Sequence, residues 1–135
     1  MTKFSGGCLC GAIRYEVSGD IVRMVNCHCD DCRRNTGASF ATNIFFNSED
    51  VQVTKGEPRS FEHVSDAGNR KIKEFCPTCG SQLFSSTIGR PLTSVKVGSI
   101  EDANFVKPTA NLYCKRALSY SHLSDDLKNF QEMPT

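Results

Sequence analysis

Seven of the eight cysteines in this chain stand at spacings typical of metal ligands. Two lie in Cys8-Leu9-Cys10, and two lie in Cys76-Pro77-Thr78-Cys79-Gly80, a C-x2-C turn followed by a glycine. Residues two apart on a strand point to one face, so we expect Cys8 and Cys10 to offer two thiolates to the same ion. The four sulfurs suffice for a closed tetrahedral zinc site, which usually stabilises a fold and does not catalyse.

Three further cysteines fall within six residues, in Cys27-His28-Cys29-Asp30-Asp31-Cys32. Three protein ligands with one exchangeable position are typical of catalytic zinc. We therefore predict a second, open site at Cys27, Cys29 and Cys32, where the metal lowers the pKa of a bound water or thiol or polarises an oxygen. Cys114 or a histidine in the fourth position would close this site and make it structural.

Several polar residues near the third cluster are weaker candidates. Arg33 and Arg34 form either a solvated pair or a clamp for a ligand carboxylate, which guanidinium groups bind bidentately. His28 is expected to point away from the metal, as an outer-sphere or surface residue. Cys114 lies in an apolar stretch and is expected to be buried and inert. Plain surface positions are expected for His63 and His122.

Length and charge limit the class of protein. A chain of 135 residues suits one domain, residues 1–135. Sixteen basic and fifteen acidic residues leave a net charge of +1, which argues against a nucleic-acid-binding surface. No stretch approaches the ~20 apolar residues of a membrane helix, and Met1 to Gly7 contains no signal-peptide core. We therefore expect a cytoplasmic protein whose reduced thiols bind metal, with a set of four disulfides as the alternative.

The hydrophobic pattern is that of short strands. Ile13, Tyr15 and Val17 alternate with polar residues, which is the period of a half-buried strand. Frequent turn residues separate such runs, so we predict a mainly β, antiparallel sandwich or barrel. Further predicted strands are Ala38–Phe46, Val51–Thr54, Arg59–His63, Lys71–Phe75, Gln82–Ser86, Ser94–Val97 and Asn111–Cys114. Little helix is expected: one polar turn at Cys29–Asn35, and a turn capped by Ser124–Asp126 that presents Leu127 and Phe130.

The order of these motifs resembles one known family. The motifs are Gly7-Cys8-Leu9-Cys10-Gly11, then Cys27 to Arg33 with Thr36-Gly37-Ala38, and finally Phe75-Cys76-Pro77-Thr78-Cys79-Gly80-Ser81. Together they resemble the glutathione-dependent formaldehyde-activating enzyme family, or CENP-V/GFA domain, from about Gly7 to Pro134. The resemblance implies a zinc-stapled β-tent fold with two zinc ions per chain. The structural ion would be held by Cys8, Cys10, Cys76 and Cys79, and the catalytic or labile ion by Cys27, Cys29 and Cys32.

The resemblance also implies an activity, the joining of glutathione and formaldehyde into S-hydroxymethylglutathione. The reverse of this reaction breaks the carbon–sulfur bond, so such an enzyme is a carbon–sulfur lyase. Arg33 or Arg34 would then hold a carboxylate of the glutathione-like ligand. Members of the family often carry a tryptophan near the C-terminus; this chain has none, and Tyr120 is expected in its place. Two other functions are open, a carrier of glutathione or its adduct without turnover, and a structural zinc domain that binds a protein partner. The fourth ligand of the second zinc distinguishes the structural domain from the other two.

Overall fold

The computed structural model describes residues 1–134, and in that range the chain is mainly β, as predicted. The helical segments are α1 (Asp30–Thr36) and three 3-10 turns, Ser48–Asp50, Val97–Ser99 and Cys114–Arg116. The strands are β1 (Thr2–Gly7), β2 (Arg14–Gly19), β3 (Arg23–Cys27), β4 (Ala41–Asn47), β5 (Val51–Lys55), β6 (Arg59–Val64), β7 (Arg70–Phe75), β8 (Gln82–Thr87), β9 (Leu92–Lys96), β10 (Ala110–Leu112) and β11 (Lys128–Asn129). Within residues 1–134, no helix has the length and apolar composition needed to cross a bilayer.

The strands form two sheets. One has three strands in the order β1-β2-β5, and the other has eight in the order β11-β10-β3-β4-β9-β8-β7-β6. Most neighbours pair antiparallel, which confirms the predicted pairing. The exception is β10, which pairs parallel with both β3 and β11. These two parallel pairs were not predicted.

All eight predicted strands are present within a few residues of their predicted bounds, whereas β1, β3 and β11 were missed. The sequence of β1, TKFSGG, is rich in residues that favour turns, and β11 is only two residues long. The placement of Cys8 and Cys10 on a strand was wrong. Both lie in the turn between β1 and β2, where Gly11 has φ of 81° and donates its N–H to the Cys8 carbonyl at 3.3 Å.

Both predicted helical segments are present, one as a helix and the other as a turn. The polar turn at Cys29–Asn35 is confirmed as α1, which ends at Gly37 in the left-handed conformation (φ 72°). Ser124 caps a turn as predicted, since its hydroxyl accepts the Asp126 N–H at 3.2 Å, and this turn leads into β11. Phe130, just after β11, packs against the apolar cluster around Val25 and Leu112.

The main apolar core lies between the two sheets. Tyr15 of β2 is fully buried there, with its ring 4.9 Å from that of Phe84 and its hydroxyl 2.7 Å from that of Ser99. A Cβ at Gly6 would lie 2.4 Å from the Tyr15 hydroxyl, so this close approach requires glycine. The remaining buried members are Ile13, Val17, Ile44, Phe46, Cys76, Leu83, Val95 and Ile100.

The other face of the eight-stranded sheet is polar although much of it is buried. Because side chains alternate along a strand, Ile44 and Val95 enter the apolar core while their neighbours face the opposite side. The buried polar residues of that face are Asn43, Lys73, Ser85, Ser94 and Lys96. A sheet face of this composition is suited to a ligand rather than to another apolar layer.

A buried hydrogen-bond network holds the parallel edge of the sheet together. The Asn111 side-chain oxygen on β10 accepts from Asn26 Nδ2 at 3.0 Å and lies 3.3 Å from His28 Nε2. Asn111 Nδ2 donates to Asn129 Oδ1 of β11 at 2.8 Å. Asn111 is 2 % exposed, and this one buried side chain bonds to partners on both of its neighbouring strands.

We predict that Asn111→Ala lowers the free energy of unfolding by about 1–3 kcal/mol, because it removes hydrogen bonds to Asn26 and Asn129 and leaves the buried His28 ring without its partner. Urea denaturation followed by circular dichroism measures this change. Asn47→Ala is the matched control, since Asn47 is exposed at the end of β4 and the change should stay within about 0.5 kcal/mol. Equal effects of the two substitutions would contradict the role of the network.

Candidate metal centres and the adjoining cleft

Four thiols from two distant turns converge at one end of the molecule. The sulfurs of Cys8, Cys10, Cys76 and Cys79 all lie within 4.8 Å of one another. The Cys10 sulfur is 3.7 Å from that of Cys8 and 3.8 Å from that of Cys76. Zinc–sulfur bonds of about 2.3 Å in a tetrahedron place sulfurs about 3.8 Å apart, so this donor set fits one such ion.

Backbone N–H groups aim at these sulfurs. The Ile13 N–H donates to Cys8 Sγ at 3.2 Å, and the Thr78 N–H donates to Cys76 Sγ at 3.4 Å. Gly80, with φ of 77°, closes the second turn by donating its N–H to the Cys76 carbonyl at 2.9 Å. The Ser81 hydroxyl and backbone N–H hold the pKa of Cys79 at about 5, since hydrogen bonds to a thiolate favour it. The second turn thus favours the thiolate form of Cys79, whereas, against an opposing hydrogen bond from the Ala12 backbone, burial and the neighbouring thiols raise the pKa of Cys10 to about 11.

Three thiols form a second cluster at the junction of β3 and α1. Cys27 ends β3, Cys29 precedes α1 and accepts the Cys32 N–H on its sulfur at 3.3 Å, and Cys32 lies within α1. Their sulfurs lie within 4.8 Å of one another, which fits three donors to one ion. Among residues 1–134 this group contains no fourth cysteine, histidine or carboxylate.

Within residues 1–134, neither Cys114 nor a histidine joins this group. Cys114 is buried, as predicted, and its thiol is 3.5 Å from the Asn111 carbonyl, so it belongs to the parallel edge of the sheet. His28 is also buried, at 1 % exposure, with its ring 4.6 Å from that of Phe40. The expectation of a surface position for His28 was therefore wrong, whereas its orientation toward Asn111 agrees with an outer-sphere residue.

The surroundings of the three-thiol cluster favour ionisation of Cys32 over that of Cys27. Hydrogen bonds from the Cys27 and Cys29 thiols, with the positive charges of Lys96 and Lys73, lower the pKa of Cys32 to about 3. Hydrogen bonds to the Cys29 and Cys32 sulfurs raise the pKa of Cys27, because Cys27 is the donor and its protonated form is favoured. Burial lowers the pKa of Lys96 to about 8, although the Cys32 thiolate opposes this shift. The charge of the Cys32 thiolate and the charges of these lysines therefore stabilise one another.

The three-thiol cluster opens into a cleft over the polar face of the eight-stranded sheet. The cleft has an empty volume of about 1150 Å³, including its mouth. Strands supply the floor, and the walls include α1, the β6–β7 loop, Tyr113 and Met133. Tyr113 has φ of 55°, which is uncommon for a residue other than glycine. A small molecule in this cleft would lie against both the thiols and the polar sheet face.

The predicted arginines do not line this cleft. Arg33 lies 3.6 Å from Asp30 in an ion pair, and Arg34 is exposed on α1. Basic side chains that sequence reasoning missed line it instead: Arg23, Lys71, Lys73, Arg90 and Lys96. The available signal was a set of lysines at alternate positions in predicted strands, which is equally typical of a solvent-exposed face.

The expectation of a plain surface position also needs correction for one histidine. His63 lines the cleft and is half-buried, so it is not a plain surface residue, whereas His122 is exposed as predicted. Tyr120 is 74 % exposed, contacts the Ser39 hydroxyl and does not line the cleft. The aromatic side chain from the C-terminal region that does line it is Tyr113.

Two comparisons bear on this arrangement. The family described as glutathione-dependent formaldehyde-activating enzyme matches residues 3–116, a range that contains all seven clustered cysteines. A crystal structure of a Rhodobacter sphaeroides protein is similar, with a TM-score of 0.56 and 26% sequence identity. That match covers 77% of this chain and 91% of the other.

The two thiol clusters should respond differently to single substitutions. Cys76→Ser should destabilise the protein by several kcal/mol, because metal in a structural site contributes folding free energy. Cys29→Ser should remove one metal ion per chain and leave the melting temperature nearly unchanged. Metal analysis and thermal denaturation test these two expectations. Cys114→Ser is the control for metal content, because Cys114 lies outside the two thiol clusters. Equal destabilisation by Cys29→Ser and Cys76→Ser would contradict the division into two kinds of site.

Proposed function

Because this chain belongs to the glutathione-dependent formaldehyde-activating enzyme family, we propose that it is a zinc-dependent enzyme of the carbon–sulfur lyase type. Its substrates would be glutathione or a related thiol and formaldehyde or a similar aldehyde adduct. The observation that carries this proposal is the convergence of Cys27, Cys29 and Cys32 on the wall of a cleft, without a fourth ligand from residues 1–134.

We propose zinc for both clusters because every donor is a thiolate, the ligand type that selects zinc among abundant divalent ions. Cys8, Cys10, Cys76 and Cys79 would hold the structural ion, and Cys27, Cys29 and Cys32 the catalytic or labile one. Zinc with an exchangeable position stabilises the anionic form of a thiol and so lowers its pKa. Reduced cysteines are needed for both sites, which supports a cytoplasmic location. A single domain over residues 1–135 is proposed because the four-thiol cluster draws on turns of both sheets.

The proposed reaction forms one carbon–sulfur bond. The thiol sulfur attacks the aldehyde carbon, the carbonyl electron pair moves to oxygen, and the thiol proton ends on that oxygen. The reverse reaction breaks the same bond and returns the proton to sulfur. The cleft-lining carboxylates of Asp30 and Asp31 can carry the proton between sulfur and oxygen.

A carrier without turnover is the second candidate. Three thiolates carry more negative charge than a zinc ion neutralises, which weakens the ion as a Lewis acid, and thiols add to formaldehyde unaided. The same cleft would then bind and protect the adduct. A purely structural zinc domain has less support, because it needs neither a missing fourth ligand nor a cleft beside the thiols.

Turnover separates these functions. The rate of exchange between thiol, formaldehyde and hydroxymethyl adduct, measured by NMR line shapes or exchange spectroscopy, should exceed the uncatalysed rate. Cys29→Ser should lower that excess by about a hundredfold or more, since even a residue that only orients a metal ligand contributes 10–100-fold. Cys114→Ser should keep the wild-type rate. An adduct that binds without any excess rate would favour the carrier, and absence of binding would favour the structural domain.

A further inference from the structure

Two buried lysines lie on the floor of the cleft, on the strands that flank β8. Lys73 of β7 is 4 % exposed and Lys96 of β9 is 6 % exposed. Lys96 Nζ donates to Ser85 Oγ on β8 at 3.0 Å and to Asn43 Oδ1 on β4 at 3.0 Å. Ser85 is the direct cross-strand partner of Lys73, and such partners share a sheet face. Both ammonium groups therefore lie over the same part of the floor.

These lysines have no carboxylate partner. Within residues 1–134, no ion pair involves Lys71, Lys73 or Lys96. Lys71 Nζ donates to Thr87 Oγ1 at 2.8 Å, and the side chain of Lys73 makes no hydrogen bond within residues 1–134. Asp30, one of the cleft's acidic residues, is already paired with Arg33 and Arg116 at 3.6 and 3.7 Å. The lysines therefore face the cleft with no paired carboxylate, which makes the floor suited to an anion.

The thiol cluster neutralises only part of this charge. Three thiolates around one divalent ion carry a single net negative charge, whereas Lys71, Lys73 and Lys96 carry three positive charges when protonated. The remaining positive charge lies on the floor, next to the three thiols that line the same cleft. A ligand that brings a carboxylate here gains charge-assisted hydrogen bonds from donors that are already held in place.

We propose that Lys73 and Lys96, with Lys71 beside them, form a carboxylate-binding subsite that selects thiols carrying a carboxylate. The inference rests on the proposed function, because it places the ligand's sulfur at Cys27, Cys29 and Cys32. It assigns to these lysines the role that the sequence suggested for Arg33 and Arg34. Selectivity for acidic thiols then comes from the floor of the cleft and not from α1.

The test compares mercapto-acids of two, three and four carbons with their amides, which have nearly the same size but no charge. Calorimetry with zinc-loaded protein should show at least one acid binding about tenfold or more tightly than its amide. Lys73→Met and Lys96→Met should abolish this preference and change the affinity for the amide by less than about twofold. Lys73→Met is informative alone, because it breaks no hydrogen bond within residues 1–134.

Two control variants remove a positive charge elsewhere. Lys55→Met alters an exposed residue of β5 in the three-stranded sheet, and Arg34→Met tests the alternative clamp on α1. Both should keep the acid–amide preference. A preference that Arg34→Met abolishes and Lys73→Met leaves intact would overturn the subsite. A lower turnover rate in Lys73→Met with an unchanged preference would overturn it too, since the lysines would then act on the reacting oxygen.

Cobalt substitution separates failure of the subsite from failure of the proposed function. A thiol that reaches the second metal changes the cobalt absorption bands. If acids and amides change the bands alike and bind equally, the subsite is wrong and the proposed function stands. If no thiol changes the bands while acids still bind in a manner that requires Lys73, the subsite stands and the proposed function is wrong.

Discussion

The four thiols at the end of the molecule join its two sheets. Cys8 and Cys10 stand in the turn between β1 and β2 of the three-stranded sheet, and Cys76 and Cys79 stand in the turn between β7 and β8 of the eight-stranded sheet. A metal ion at this point would fix the separation of the sheets, and the apolar core between them depends on that separation. Cys76 is fully buried, and it belongs both to the four-thiol cluster and to the apolar core.

With one face of the eight-stranded sheet committed to the core, its other face can be polar. Strand alternation places Val95 in the core and Lys96 in the cleft, and the three-thiol cluster closes the end of that cleft where β3 meets α1. The parallel pairing of β3 with β10, supported by Asn111, holds the strand that carries Cys27. The sheet thus positions both the thiols and the lysines. The positive charges of the lysines lower the pKa of Cys32 in the thiol cluster.

Sequence reasoning succeeded where the relevant constraint is local. Cysteine spacing and period-2 alternation involve only a few neighbouring residues, so both thiol clusters and most strands were predictable. The parallel edge was not, because β3 and β10 are far apart in the chain and β10 has only three residues. Lys73 and Lys96 were missed for a different reason, since alternation predicts two faces of a strand but not which face meets solvent. Arg33 and Arg34 were favoured only because they follow Cys32 directly in the chain.

If zinc occupies both thiol clusters, one site should be closed by four thiolates and the other open with three. X-ray absorption at the zinc edge of fully loaded protein distinguishes these sites, because it counts the sulfur neighbours of each ion. We expect an average of about 3.5 sulfurs per zinc, which rises to about 4 when a mercapto-acid is added. An average of about 4 before any thiol is added, or no change after it, would contradict the open site and with it the proposed chemistry.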